Sequence, residues 1–135
     1  MKNCAFHHIG YTVDDIPSVV SQFAAWGYEA SEPVYDEAIT VDLCYLNKPG
    51  CPTIELVHQR NEASLETKLL EKVGNMPYHM GYLTEDIEAV CRELDSLGYQ
   101  RLFDPVPVKA LGGTLICYYH HPALGYIEIL EQPHL

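Results

Sequence analysis

Two histidines and two glutamates occupy equivalent places in two copies of one repeated pattern. His8 opens a segment that returns 71 residues later at His79, and eight of the 21 aligned positions are identical. At the end of each copy, the segment around Glu55 matches the segment around Glu128 at an offset of 73 residues. Imidazole nitrogens and carboxylate oxygens are common ligands of divalent metal ions in proteins. The repeat therefore predicts a metal site if the four side chains converge.

Both glutamates stand between aliphatic residues, in the segments Thr-Ile-Glu-Leu-Val and Tyr-Ile-Glu-Ile-Leu. A carboxylate in an apolar strand is costly unless it is paired or bound to a cation. A single histidine on such a strand is more often a core residue than a ligand. Here the histidine recurs in both copies and a glutamate accompanies it each time, so we favour metal binding over a purely structural role.

Each copy predicts a strand, a helix and three further strands. In the first copy Phe6–Val13 predicts the strand, and Asp14-Asp15 with Pro17 predicts a helix start. Gly27 predicts the helix end, and the second copy repeats the arrangement. Between the copies, Ser64–Val73 predicts a short amphipathic helix. With 135 residues the chain predicts one domain: module one at about 5–59, a linker at about 60–76 and module two at about 77–132.

The net charge and the cysteines exclude several classes of function. The charge is −11, from 19 acidic residues against eight Lys and Arg, so nucleic acid is not expected as a partner. No apolar stretch is long enough for a membrane span and no signal peptide is evident, so we expect no membrane association and a cytoplasmic location. The five cysteines form no C-x-x-C pair, and we expect reduced thiols, with Cys44, Cys91 and Cys117 in the core.

The repeated modules resemble the vicinal oxygen chelate superfamily, over about residues 5–132. The resemblance implies an α+β fold in which two βαβββ modules form an incomplete, strongly curved eight-stranded barrel around a metal cleft. It implies four metal ligands, namely His8, Glu55, His79 and Glu128. Such a set suits Ni²⁺, Co²⁺, Zn²⁺ or Mn²⁺. His7, His120 and His121 are neighbouring histidines that the repeat alignment does not select. We also expect a homodimer.

Branches of that superfamily differ in chemistry, and fold alone does not select among them. Extradiol dioxygenases usually have chains about twice this long. Fosfomycin thiol transferases lack a glutamate corresponding to Glu55, and bleomycin-binding members lack the metal ligands. The inter-module helix and the hairpin around His121-Pro122 are similar to methylmalonyl-CoA epimerase. Glyoxalase I, a lactoylglutathione lyase, stays as the alternative, and a non-catalytic protein that binds a small ligand is the alternative of another class.

The resemblance implies an enzyme that removes a proton next to a carbonyl and forms a metal-stabilised enediolate, with a thioester or hemithioacetal as substrate. By the same resemblance, Glu128 would be both a metal ligand and the base, and Glu55 is the second candidate for this double role. Epimerases add a non-ligand glutamate on the strand that corresponds to Ile39–Leu46, where this chain offers Asp42 as the candidate catalytic base. The phosphates of CoA require cations, and the scattered candidates are Lys68, Lys72, Arg101 and Lys109.

Overall fold

The computed structural model describes residues 3–132. The chain divides into two compact units, of which the first is His8–Tyr78. The second unit begins at His79 and includes the opening residues of the first strand. Each unit contains strands and at least one packed helix, so the α+β fold class and the paired modules are confirmed.

The first unit is built from strands β1 to β5 and two helices. Their bounds are β1 (Cys4–Thr12), α1 (Ile16–Ala24), β2 (Glu29–Ala30), β3 (Val34–Asp36), β4 (Val41–Asn47), β5 (Thr53–Gln59) and α2 (Leu65–Val73). The strands lie in the order β2-β4-β5-β1, with β3 also paired to β4. β1 runs parallel to β5, and the other pairs are antiparallel.

The second unit repeats this plan with one helix. Its elements are β6 (Met76–Thr84), α3 (Ile87–Ser96), β7 (Gln100–Arg101), β8 (Val106–Val108), β9 (Thr114–His121) and β10 (Gly125–Glu131). The strand order is β6-β10-β9-β7, with β8 also paired to β9. β6 runs parallel to β10, as β1 does to β5.

The described residues form ten strands, whereas eight were predicted, because each unit has one additional short strand that was not predicted, β3 in the first and β8 in the second. Pro33 lies between β2 and β3, and Pro105 lies between β7 and β8. Proline has no N–H to donate to a strand ladder, so the pairing stops there and resumes beyond it. β3 pairs with β4 and β8 pairs with β9, so β4 and β9 are hydrogen-bonded over more of their length.

The helices begin and end at the residues that the sequence indicates. The Asp15 carboxylate accepts a hydrogen bond from the Ser18 N–H (3.0 Å), and Asp86 caps α3 in the same way. Gly27 and Gly98 follow the two helices with φ of 90° and 84°, which glycine adopts without a Cβ clash. None of the helices in the described residues is long and apolar enough to cross a membrane.

Each packed helix covers one face of its strands. In the first unit α1 packs on a core that includes Cys44, Leu46, Ile54 and Leu56. In the second unit α3 packs on the equivalent core of Cys117, Tyr119, Ile127 and Ile129. Because side chains alternate along a strand, the residues between these core positions point to the opposite face. Both predicted glutamates lie on that opposite face.

Candidate metal centre

In the first unit, strand register brings His8 and Glu55 to the same face. β1 and β5 are parallel, and Gly10 is the strand partner of Glu55. His8 precedes Gly10 by two residues, so its ring points to the side of the Glu55 carboxylate. His8 is fully buried and Glu55 is 2% exposed. Their Nε2 and Oε1 atoms are 3.6 Å apart.

The second unit repeats this arrangement with its own residues. Gly81 is the strand partner of Glu128, and His79 precedes Gly81 by two residues. His79 and Glu128 are each 3% exposed. The His79 Nε2 and Glu128 Oε1 atoms are 3.5 Å apart. The two His/Glu pairs therefore have nearly the same internal geometry.

These separations fit metal ligation better than direct hydrogen bonds. A nitrogen-to-oxygen hydrogen bond is usually 2.7–3.2 Å long. Two ligand atoms that each bind one ion at roughly 2.1 Å are about 3.0 Å apart at an octahedral angle and about 3.4 Å apart at a tetrahedral angle. The donor set is also suitable, since two imidazoles and two carboxylates offset the charge of a divalent ion. In the described part of the chain, the residues that could hold a metal ion are His8, Glu55, His79 and Glu128.

Each glutamate lies between a glycine on one neighbouring strand and a tyrosine on the other. Glu55 has Gly10 on β1 and Tyr45 on β4 as its partners. Glu128 has Gly81 on β6 and Tyr118 on β9. A glycine has no side chain at this position, so the carboxylate is not crowded from that side. The histidine-x-glycine pattern thus provides both a ligand and the space beside the second ligand.

The two tyrosines make different contacts. The Tyr45 hydroxyl donates a hydrogen bond to Oε2 of Glu55 at 2.7 Å. The Tyr118 ring lies 5.2 Å from the His79 ring, centroid to centroid, and 5.4 Å from the Phe103 ring. Tyr45 makes a more distant edge contact with His8, at 6.5 Å. In the first unit the carboxylate of Glu55 therefore accepts a hydrogen bond from the tyrosine, and in the second unit the tyrosine ring lies against the imidazole of His79.

Asp42 lies on the other face of β4. Its alternation with Tyr45 places it on the side of Cys44, toward α1, and away from Glu55. Arg60 donates two hydrogen bonds to the Asp42 carboxylate, at 2.9 and 2.7 Å, and stacks on the Tyr35 ring. Hydrogen bonding to Asp42 raises the pKa of Arg60. The site-facing neighbour of Asp42 is Leu43, and the catalytic role of Asp42 stays a prediction.

The histidines that the alignment rejects have other contacts. His120 lies against the Tyr126 ring, and His121 lies against the Tyr99 ring. His121 Nδ1 also accepts a hydrogen bond from the Ala123 N–H in the turn after β9. Among the described residues, His7, His120 and His121 do not join the group that could hold a metal.

Comparison with known proteins identifies the family. A model of the glyoxalase/bleomycin resistance protein/dioxygenase superfamily matches residues 7–118, which is most of the chain. The chain belongs to this superfamily. No curated protein matches it.

Solved structures with the same superfamily fold are similar over nearly the whole chain. Methylmalonyl-CoA epimerase from Mycobacterium tuberculosis is 22% identical, with a TM-score of 0.82 and coverage of 96% of this chain and 88% of that one. A hypothetical protein from Bacillus halodurans is 23% identical, with a TM-score of 0.82 and coverage of 98% and 96%. A variant of the Streptomyces coelicolor epimerase in complex with 2-nitronate-propionyl-CoA is 23% identical, with a TM-score of 0.80 and coverage of 96% and 97%. At these identities the similarity establishes the fold.

Within this superfamily fold, sequence reasoning missed the two tyrosines and the function of the two glycines. The signal was present, because Tyr45 precedes Glu55 by ten residues and Tyr118 precedes Glu128 by the same distance. The offset of 73 residues that relates the glutamates relates the tyrosines as well. Applying this offset to the preceding strand would have identified both.

Proposed function

We propose that the protein is a metal-dependent isomerase that removes a proton next to a carbonyl group. The two His/Glu pairs, His8 with Glu55 and His79 with Glu128, would supply four ligands to one divalent ion. The observation that carries this proposal is the repeated pair geometry, 3.6 Å in one unit and 3.5 Å in the other. Four buried ligand side chains without catalysis would be an unusual feature for a protein that only binds a small molecule.

When bound, a divalent ion at this position supplies stabilisation of the negative charge that develops on a substrate carbonyl oxygen. Glu128 is the residue that we assign as base, and it takes the proton from the carbon next to that carbonyl. One carboxylate oxygen of Glu55 accepts a hydrogen bond from Tyr45, which suits a residue that binds the metal ion rather than one that transfers the proton.

A thioester of the methylmalonyl-CoA type is the first substrate class that we propose, which makes the protein an epimerase. Glu128 would take the proton on one face of the carbon, and a proton from solvent would return to the opposite face. Support comes from the fold, which is shared with solved epimerases, one of them in complex with methylmalonyl-CoA. Of the predicted CoA-binding cations, Lys68 and Lys72 are exposed on α2 and separated by one helical turn. Arg101 is already held by Asp95 and Asp104, so it is less suited to phosphates.

A glutathione hemithioacetal, the substrate of a lactoylglutathione lyase, is the second candidate. One observation favours it: the site-facing residue next to Tyr45 on β4 is Leu43, which cannot act as an additional base. Glutathione also carries less negative charge than CoA, which suits a chain with a net charge of −11. In such a reaction the proton moves to the neighbouring carbon, and one carboxylate can serve both steps.

A paired assay on the metal-loaded protein tests the proposal. One arm follows exchange of the α-proton of methylmalonyl-CoA in D₂O by NMR, and the other follows isomerisation of the hemithioacetal. We expect turnover in at least one arm, and its loss on treatment with a chelator. The matched control is Glu128→Gln, which keeps an oxygen ligand but removes the base. Turnover that persists after Glu128→Gln would contradict the assignment of Glu128, and no turnover in either arm would exclude both substrates.

A further inference from the structure

The Tyr45 hydroxyl contacts one of the two carboxylate oxygens of Glu55 and can therefore influence which oxygen is available to bind a metal ion. The two residues are direct partners on the antiparallel strands β4 and β5. The Tyr45 hydroxyl is 2.7 Å from Oε2, while Oε1 faces His8 Nε2 at 3.6 Å. The two oxygens of one buried carboxylate therefore have separate neighbours. One faces the other candidate ligand, and the other is a hydrogen-bond acceptor within the protein.

We propose that Tyr45 is a positioning residue that holds Glu55 as a one-oxygen metal ligand and keeps a coordination position open for substrate. This inference rests on the proposed metal function. A carboxylate can bind a cation through one oxygen or through both. A hydrogen bond to Oε2 favours the one-oxygen mode, since that oxygen would lose the bond in order to bind the ion.

The open position matters because a catalytic ion must accept an oxygen of the substrate. Catalytic metal sites keep such a position, whereas structural sites are filled by the protein. With four protein ligands, a second oxygen from Glu55 would compete directly with the substrate. Residues that orient the ligands from outside commonly change metal affinity by 10- to 100-fold when they are removed.

Local structure explains why the contact is specific to Tyr45. Strand pairing fixes the backbone of β4 and β5 opposite each other, and the tyrosine ring spans the remaining distance to the carboxylate. Glu55 is 2% exposed, so water competes weakly for Oε2. Tyr45→Phe removes only the hydroxyl and keeps the ring, and it is therefore the substitution that isolates this hydrogen bond.

The test uses Co²⁺ as the metal and acetohydroxamate as a small oxygen-chelating probe. Tyr45→Phe should lower the visible absorption of bound Co²⁺, because absorption weakens as coordination number rises. It should also weaken acetohydroxamate binding by roughly 10-fold. Tyr11→Phe is the matched control, since Tyr11 lies in the same unit and packs on Phe23 away from Glu55. That control should leave both measurements unchanged.

A double variant separates positioning from a general structural effect. In Glu55→Ala, which has no carboxylate to hold, adding Tyr45→Phe should change the Co²⁺ spectrum no further. Thermal unfolding of the metal-free variants checks that they fold. An unchanged spectrum in Tyr45→Phe, or an equal further change in the Glu55→Ala background, would overturn the proposal. Co²⁺ binding by the parent protein is measured without any substrate, so failure of the isomerase assays is distinguishable from failure of this inference, and a parent that binds no Co²⁺ overturns both.

Discussion

The two half-sites, His8 with Glu55 in the first unit and His79 with Glu128 in the second, share a plan and differ in their surroundings. In each, the glutamate lies between a strand glycine and a strand tyrosine. In the first, the tyrosine hydroxyl binds the carboxylate, and in the second, the tyrosine ring lies against the imidazole. The shared features are those that metal ligation requires. The differences are where separate roles for the two glutamates can arise.

The largest expected difference between the half-sites is in catalysis. Glu128→Gln should lower kcat by about 10³-fold, because general-base catalysis contributes about 10²- to 10⁴-fold. Glu55→Gln should lower it by roughly 10-fold, since the amide keeps an oxygen ligand and Glu55 is not the assigned base. Proton exchange in D₂O, with bound metal measured for each variant, gives the comparison.

Equal losses in the two variants would contradict this division of roles. They would indicate that both glutamates transfer protons, one on each face of the reacting carbon. Loss of bound metal in either variant would instead report ligation, and the kinetic comparison then uses the metal-saturated protein.

The strand glycines provide the next comparison. Gly10→Ala and Gly81→Ala each add a methyl group on the face of the neighbouring glutamate. Both positions are in strands, so alanine is compatible with the backbone, and we expect metal affinity to fall by about 10-fold or more. Competition with a chromophoric chelator measures it. Unchanged metal affinity in both variants would show that the methyl group is accommodated.

Much of the fold could be predicted because both copies carry local signals that agree. Asp15 and Gly27 mark the ends of α1, and Ser64 caps α2 next to its predicted start. The short strand β3, which begins directly after Pro33, was not predicted. Strand pairing on both sides of a proline depends on the partner strand, which local sequence does not describe.

The four candidate ligands could be selected from the repeat, but the residues around them could not. Histidine and glutamate stand out because they are unusual in apolar strands. Tyr45 and Tyr118 do not stand out, because tyrosine is common in strands, and their function depends on which residue lies across the ladder. Asp42 was selected because a carboxylate is unusual in a strand. It is one residue away from Leu43, which faces the site, and therefore lies on the other face of β4.

The two buried thiols Cys44 and Cys117 occupy equivalent positions in the two copies of the repeat. We expect them to contribute differently to the loss of stability at alkaline pH. Burial raises the pKa of both thiols above the ordinary value of 9.0, and the effect is larger for Cys117. A raised pKa contributes stability that is complete below the unfolded-state pKa and is lost as pH rises through about 9 and above. At pH 10 each such thiol should reduce the free energy of unfolding by up to about 1.4 kcal/mol.

Urea unfolding at pH 7.5 and pH 10 checks this, with Cys44→Ala and Cys117→Ala compared with the parent. Each substitution leaves a small cavity that lowers stability at both pH values, so the informative quantity is the difference between them. Cys117→Ala should reduce that difference more than Cys44→Ala does. The reverse order would contradict the stronger burial effect at Cys117.

The smallest expected effect concerns Asp42, which lies outside both half-sites and bears on whether they contain every catalytic group. The Arg60 side of its bidentate salt bridge is exposed to solvent, so Asp42→Asn should lower the free energy of unfolding only slightly. Because its carboxylate is bound by Arg60 on the face of β4 opposite to Tyr45 and Glu55, kcat should stay within about 2-fold of the parent. Arg60→Met is the matched variant, which removes the same salt bridge from its other end. A loss of kcat near that of Glu128→Gln, seen in Asp42→Asn but not in Arg60→Met, would instead support the predicted role of Asp42 as a base.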